Sequence, residues 1–521
     1  MKLTRNHLFL CLAAIPVVLH FYLVSSTIVN FPTWGDDFLF FELIEHLKKD
    51  SLPDFVAFLF KPHNHIHLLV FGKLFVLLGY VILGSLQLKW IIIAANLMLL
   101  GITFTLYRFL KSQSFSTAYL IPITCLLFAP NANIDNYNLI GVVQHTGSIG
   151  CLVSIAYLVT QKRHSILLLI LLAAYPLIST EGWAMLPFVA LYMWITNHPL
   201  KKYVIVMGIT AIGGLAYLVG QQPTPSNKTP LLDTLTQAPI ALLTFLGNAA
   251  WPITDTYKIG LNASLGGLLV LLSIWAIRRK IDSPSKWEFP LIIWVQLTLT
   301  GAMIVLGRSQ GDSISTLILS ERFHSYANLA LVSTFLLIIP NLEKRTSKWI
   351  CISICLLYFF GSSAFFNPNK LHCRLRADLS NAYFQSACTS YPMPSAQIHS
   401  FIHAPFYQVN SDELLKIPLP KPSKIREIEL EIEKKNAGAF SVRIKSIPNK
   451  ENGDDSRWII IQSALNPANQ LILPFHADKA NRPKILEVNS MQLAELSHKN
   501  LWLYTIQANK TSRLAYLGSS K

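Results

Sequence analysis

Residues 8–38 read LFLCLAAIPVVLHFYLVSSTIVNFPTWGDDF. The stretch joins an apolar run, Leu8 to Val29, to two adjacent carboxylates, Asp36 and Asp37. A helix of about 22 residues rises about 33 Å, enough to cross the hydrocarbon core of a bilayer. No small-x-small cleavage site follows the run, and further apolar runs do. It therefore reads as a retained first span and not as a signal peptide.

Working outward, the 521 residues are 52% hydrophobic and 14% charged, where a soluble domain carries about 25% charged residues. Apolar stretches of spanning length recur along most of the chain, which excludes the ordinary soluble classes and points to a polytopic all-α membrane protein. The net charge of +16 would suggest nucleic acid on a soluble protein. Here much of the excess sits in short loops, as the positive-inside rule produces, so it reports topology and no nucleic-acid partner.

Lys2 and Arg5 place the N-terminus in the cytoplasm, and helix 1 delivers Asp36 and Asp37 to the far side. Basic clusters at Arg108/Lys111, Lys162/Arg163, Lys201/Lys202, Arg278/Arg279/Lys280 and Lys344/Arg345/Lys348 mark later cytoplasmic loops. Apolar segments pair between them: 115–128 with 146–160, 166–178 with 183–196, 203–220 with 261–277, and 288–306 with 324–340, before a last outward span at 349–366. This scheme holds only if 66–84 is an interfacial or re-entrant helix and 88–107 is the second span, giving about 11 spans in all. The predicted organisation is a transmembrane domain over 1–366 with a first exterior loop at 30–87, then an exterior linker region at 367–424. A small extracytoplasmic β-rich domain follows at 425–521, where IREIELEIE, FSVRIKSI, WIIIQSA and LWLYTIQA alternate with period two. Five of the seven cysteines lie in membrane segments as small packed hydrophobes. Cys373 and Cys388 fall in the exterior region, where a disulfide is an open expectation.

Polar residues are scarce and gather at the predicted outer ends of helices. In FLFFELIEHLKK (38–49), Glu42, Glu45, His46 and Lys49 share one helical face, and Phe40, Leu43, Ile44 and Leu47 another, as in a helix lying on the membrane surface. KPHNHIH follows, with His63, His65 and His67. Their alternate spacing completes no tetrahedral metal set. Further along come Asp135, Asn136, Tyr137, Gln144 and His145; Glu181 at a helix break; Asp255 and Lys258; and Arg308, Asp312, Glu321, Arg322 and His324. A carboxylate at the interface can serve as general base for a hydroxyl, and arginines suit a phosphate through their planar, permanently charged fork. Each residue also has a plainer structural role open to it: a solvated boundary for Asp36 and Asp37, a helix cap for Glu181, snorkelling anchors for Arg308 and Arg322.

The residues Trp34-Gly35-Asp36-Asp37, His63-Asn64-His65-Ile66-His67, Gly307-Arg308 and Ser320-Glu321-Arg322-Phe323 carry a resemblance. Over residues 1–366 the chain resembles the GT-C superfamily of multi-pass glycosyltransferases, which take sugars from polyprenyl-phosphate carriers. It departs in the middle motif, where His65 stands in place of the usual Glu and His67 near the usual Arg. The resemblance implies that Asp36 or Asp37, with Asp37 preferred, activates the acceptor hydroxyl, and that Arg308 and Arg322 hold the donor phosphate. It also implies that His63 and His65 line the substrate pocket, to which Glu181 and His324 are assigned as well. Some members bind a divalent metal through the first-loop acids and others need no cofactor, and both options stay open. The implied partners are a polyprenyl-phosphate-linked sugar, a glycan, lipid or protein acceptor, and the lipids of the inner (plasma) membrane. A transporter or flippase of lipid-linked saccharides, a glycan polymerase and a structural membrane protein are the competing expectations.

Overall fold

The computed structural model describes residues 5–33, 35–63, 69–162, 166–196, parts of 203–213, 231–249, 255–279, 283–307, 321–342, 345–383, 395–410, 413 and strand backbones between 430 and 520. Among the described residues, five helices are long and apolar enough to cross a membrane by length and composition: Asn6–Thr27, Leu88–Ser112, Leu139–Thr160, Lys258–Arg279 and Pro284–Val305. Their outward residues are themselves apolar. Leu8, Ile15, Val18 and Tyr22 are exposed on the first, and Trp90, Leu97 and Phe104 on the second. Water would oppose such surfaces and lipid tails would not. The chain is thus a helical protein built for a membrane.

The chain divides into two compact units. The first gathers Met1–Val24, Glu45–Leu78 and Ile91–Phe366. Its core is continuous and apolar, with Phe109, Ile123, Phe128, Val153, Leu172, Phe245, Leu297 and Leu336 fully buried. The helix Leu231–Leu246, with Pro239 inside it, was not expected, because Asp233, Thr236 and Gln237 dilute its apolar signal. It packs against Asp255–Arg279 at backbone distance. A Cβ on Gly247 would lie 1.9 Å from the Asn262 carbonyl oxygen, and one on Gly266 1.9 Å from that of Leu243. Only glycine permits that approach.

The helix Val70–Leu83 has 14 residues, about 21 Å of rise, short of the hydrocarbon thickness. Its Lys73 is buried, yet the ammonium is fully used. It donates to the carbonyl oxygens of Phe58 (2.7 Å), Leu59 (3.1 Å) and Lys61 (3.0 Å), and lies 4.6 Å from the Phe58 ring centroid. Those carbonyls close the helix Leu52–Phe60, where a cation meets the negative helix end.

The second unit gathers Ser25–Ile44, Gly79–Trp90 and Asn367–Lys521. Within 367–424, expected as linker, two helices form, Pro368–Tyr383 and Ser395–Ile402. Leu371, Leu375 and Leu379 recur every fourth residue, and Leu375 and Leu379 are fully buried, which is the stripe that folds a helix. The rings of Phe38 and Phe41 pack on Phe401, and Phe41 also on Phe406 and Tyr407. Beyond these helices, the described residues form seven strands between Leu430 and Ser520. They pair in a three-stranded sheet ordered β1 (Leu430–Lys434), β2 (Ala439–Ile444), β5 (Ile485–Asn489), and a four-stranded one ordered β4 (Gln470–Phe475), β3 (Arg457–Ser463), β6 (Lys499–Gln507), β7 (Lys510–Ser520). All of these strand pairings are antiparallel.

Candidate functional site

In the second unit, the chain leaving the first span is held by backbone hydrogen bonds. Asn30 donates its N–H to Glu413 Oε2 (2.7 Å) and its Nδ2 to the Gln408 carbonyl (2.7 Å), and its own carbonyl accepts from the Tyr407 hydroxyl. Glu413 also meets Lys89 Nζ at 3.4 Å and, through its carbonyl, Arg376 Nε at 2.9 Å. Next comes the short 3₁₀ turn Gly35–Phe38. Its two acids point differently: Asp36 is exposed and Asp37 is wholly buried. Asp37 Oδ2 accepts the Thr33 N–H at 3.1 Å, and the Thr33 carbonyl accepts from Arg374 at 3.4 Å.

In the first unit, one side chain organises a second site. Glu181 is buried at the junction between Ile166–Ile178 and Gly182–Ile195. The junction is tight, since a Cβ on Gly182 would lie 2.5 Å from Pro176 N. The Glu181 carboxylate accepts from Ser148 Oγ (2.5 Å), Ser179 Oγ (2.7 Å) and the Tyr326 hydroxyl. Gln296 Nε2 donates to the Glu181 carbonyl at 3.0 Å, and the Tyr175 hydroxyl stands 3.3 Å from Ser148 Oγ. Tyr326 in turn meets His145 Nδ1 at 3.1 Å. Phe245, Phe323 and Tyr326 pack ring against ring, with His145 edge-on to Phe323 and Tyr326. The guanidinium of Arg322 lies 5.6 Å from the Phe323 ring centroid.

His145 and Ser148, three residues apart, share a helical face toward this cluster, while Thr146 turns to another. Thr146 donates to Asn136 Oδ1 at 2.6 Å, in a buried amide ladder that runs through Asn133, Asn136 and Asn96 to His20. The segment Val142–Thr146 that feeds both networks is a π-helical turn, a rare geometry that recurs at functional sites.

Of the predicted site residues, the structure brings Glu181 together with the Arg322–Tyr326 segment that holds the buried His324. Asp36 and Asp37 belong to the other unit, as does Cys373, which lies on Pro368–Tyr383. His63 is half-buried in an isolated bridge position of the first unit. Arg308, His65 and Cys388, and the side chain of Cys373, lie outside the described residues, so the donor arginine pair and the disulfide do too. Among the described residues, no group of three or more His, Cys, Asp or Glu is placed to hold a metal ion. Asp36 is exposed and Asp37 buried, so the two acids face different ways.

Ser148, Ser179, Tyr175, Gln296 and Tyr326 escaped the sequence reading. Ser148, Tyr175, Gln296 and Tyr326 are single polar residues in apolar helices and Ser179 lies in the junction beside Glu181, and only the fold joins them. No protein-family model, curated protein or solved structure matches the chain.

Proposed function

We propose that the chain is an integral membrane glycosyltransferase. It moves a sugar from a polyprenyl-phosphate donor, with inversion, to a hydroxyl of a glycan, lipid or protein acceptor on the extracytoplasmic side of the inner membrane. About 11 spans and an extracytoplasmic β-rich domain that meets the acceptor complete this proposal. The observation that supports it most is the turn after the first span, where one carboxylate is exposed and its neighbour is buried and hydrogen-bonded.

A general base has to reach its substrate. Exposure therefore favours Asp36 as the base, reversing the preference for Asp37 drawn from sequence. Asp36 takes the acceptor proton, the acceptor oxygen bonds to the anomeric carbon, and the carbon–oxygen bond to phosphate breaks. The phosphate leaves with the electron pair, and Arg308 and Arg322 receive its charge. Asp37 holds the turn.

The test is sugar transfer in membrane vesicles supplied with a labelled polyprenyl-phosphate sugar. Asp36→Asn is expected to lose at least about 100-fold in rate, the scale of general-base catalysis, with unchanged melting. Asp37→Asn is expected to lower the melting temperature first. Full transfer by both variants would end the proposal.

One observation favours a second reading, a transporter or flippase of lipid-linked saccharides: Glu181 is an ionisable group buried among membrane helices. Translocation of a lipid-linked saccharide across reconstituted vesicles, with no glycosylated product, would select it.

A further inference from the structure

The hydroxyl cage around Glu181 has a direction. A tyrosine hydroxyl carries a single proton, and that of Tyr326 goes to Glu181 Oε1. Its oxygen can then only accept from the other neighbour, His145 Nδ1, at 3.1 Å. His145 must carry its hydrogen on Nδ1, so Nε2 is the basic nitrogen of the neutral ring. The ring is held edge-on to Phe323 (6.2 Å between centroids) and to Tyr326 (5.6 Å), and it stands on the π-helical turn. Glu181, Ser148 and Tyr326 are buried, whereas His145 is half-buried. The arrangement therefore runs from a sealed carboxylate to a ring with access to its surroundings.

Among the described residues, the ionisable neighbours on the packed elements are Glu181, Tyr175 and Tyr326, then Asp135 and Tyr137 on the turn Pro130–Tyr137 that packs on both segments, and Arg322 and His324 on the same segment as Tyr326. Of these, Arg322 is the one permanent cation, and its guanidinium flanks the Phe323 ring that His145 also meets. A guanidinium and an imidazole that meet the same aromatic ring suit an oxygen ligand that carries or develops negative charge.

We propose that Glu181, Tyr326 and His145 form a proton relay, with His145 Nε2 exchanging a proton with a hydroxyl or phosphate-class oxygen bound beside Arg322 and Phe323. In the forward step the ligand O–H bond breaks and an N–H bond forms at Nε2. The imidazolium charge is offset by the Glu181 carboxylate through the Tyr326 hydroxyl. The proton returns to the ligand's product oxygen, and nothing is oxidised or reduced. The relay uses neither Asp36 nor Asp37; it shares Arg322 with the transferase reading, and its test does not depend on sugar transfer.

The test is ¹⁵N NMR of the full-length protein, histidine-labelled, in lipid nanodiscs, with His145→Gln identifying the resonance. Neutral His145 is expected as the Nδ1–H tautomer. Tyr326→Phe removes the acceptor and should move it to Nε2–H, and Glu181→Gln, which frees the Tyr326 proton to point either way, should give a mixture of tautomers. An Nε2–H tautomer in the unaltered protein would overturn the relay, and that measurement needs no variant to fold. So would an Nδ1–H tautomer that survives Tyr326→Phe. Added inorganic phosphate is expected to shift the Nε2 resonance in the unaltered protein and not in Arg322→Gln. No shift in the unaltered protein would overturn the ligand half of the proposal. Sugar transfer is not the readout, so failure of the transferase reading leaves these outcomes intact.

Discussion

The two units hold their carboxylates by different means. In the first, the Glu181 carboxylate is met by side-chain hydroxyls from three separate stretches, Ser148, Ser179 and Tyr326. In the second, the polar side chains are met mostly by backbone. Asp37 takes the Thr33 N–H, Glu413 takes the Asn30 N–H, and His372, Arg374 and Arg376 donate to the carbonyls of Thr27, Thr33 and Glu413. The difference follows from where free backbone groups exist. Around Glu181 the N–H groups of Gly182, Trp183 and Ala184 are already spent on the carbonyls of Ser179, Thr180 and Glu181, so the carboxylate must recruit hydroxyls. Turns and helix ends leave groups over. Lys73 sharpens the rule: it lies in the first unit, yet bonds to backbone, because its partners are the orphaned carbonyls at the end of a helix.

The comparison can be broken most sharply at Glu181. Glu181→Ala leaves three hydroxyl donors without their acceptor and is expected to cost about 4 kcal/mol, read as a fall in melting temperature in detergent. Glu181→Gln, which keeps an acceptor oxygen, should cost less than half of that. Gly182→Ala drives a Cβ into the backbone of Pro176 and is expected to cost about 3 kcal/mol in the same assay. Equal melting of Gly182→Ala and the unaltered chain would mean that the tight junction does not hold the carboxylate in place. Lys73→Met should cost about 2 kcal/mol. Its mark is local, namely faster amide hydrogen exchange across residues 52–60 with the remainder of the first unit unchanged.

In the second unit the effects should be smaller, since water can replace what is lost at partly exposed groups. Glu413→Gln weakens the charge-assisted bonds to the Asn30 N–H and Lys89 by about 1 kcal/mol, read as faster exchange at the Asn30 amide. The smallest expected effect is on pH. Burial holds the His372 imidazole below its ordinary value of 6.5, with Arg376 and Lys89 acting the same way and the Thr27 carbonyl and Glu413 against it. The unfolded chain therefore binds the proton first as pH falls. The stability from neutral His372 is complete above pH 6.5 and is lost as pH falls below it. His372→Asn should flatten that part of the stability profile.

The five membrane-length helices were legible because apolar length is a local property. The runs beginning at Leu8, Leu88 and Glu288 needed no knowledge of partners. The amphipathic segment was equally plain: Phe40, Leu43 and Ile44 are buried in Leu39–Lys49, although Leu47 is exposed. The Leu231–Leu246 helix was hidden by its polar residues and internal proline. Glu181 was visible as a carboxylate at a helix break, but its donors were not. Ser148, Ser179 and Tyr326 become a site only through contacts 33, 2 and 145 residues away, and a single sequence carries no sign of the two longer ones. The burial of Asp37 and exposure of Asp36 was invisible for a similar reason, since it depends on which way a four-residue turn is wound.

The clasp on Asn30 sets a schedule for synthesis. Its Glu413 partner lies 383 residues downstream, and at translation rates of about 5–20 residues per second the two are made roughly 20–80 s apart. Throughout that interval the segment after the first span has no Glu413, Gln408 or Tyr407 to close on. A nascent chain released before residue 407 therefore lacks all three of these bonds to Asn30, however well its membrane helices have assembled.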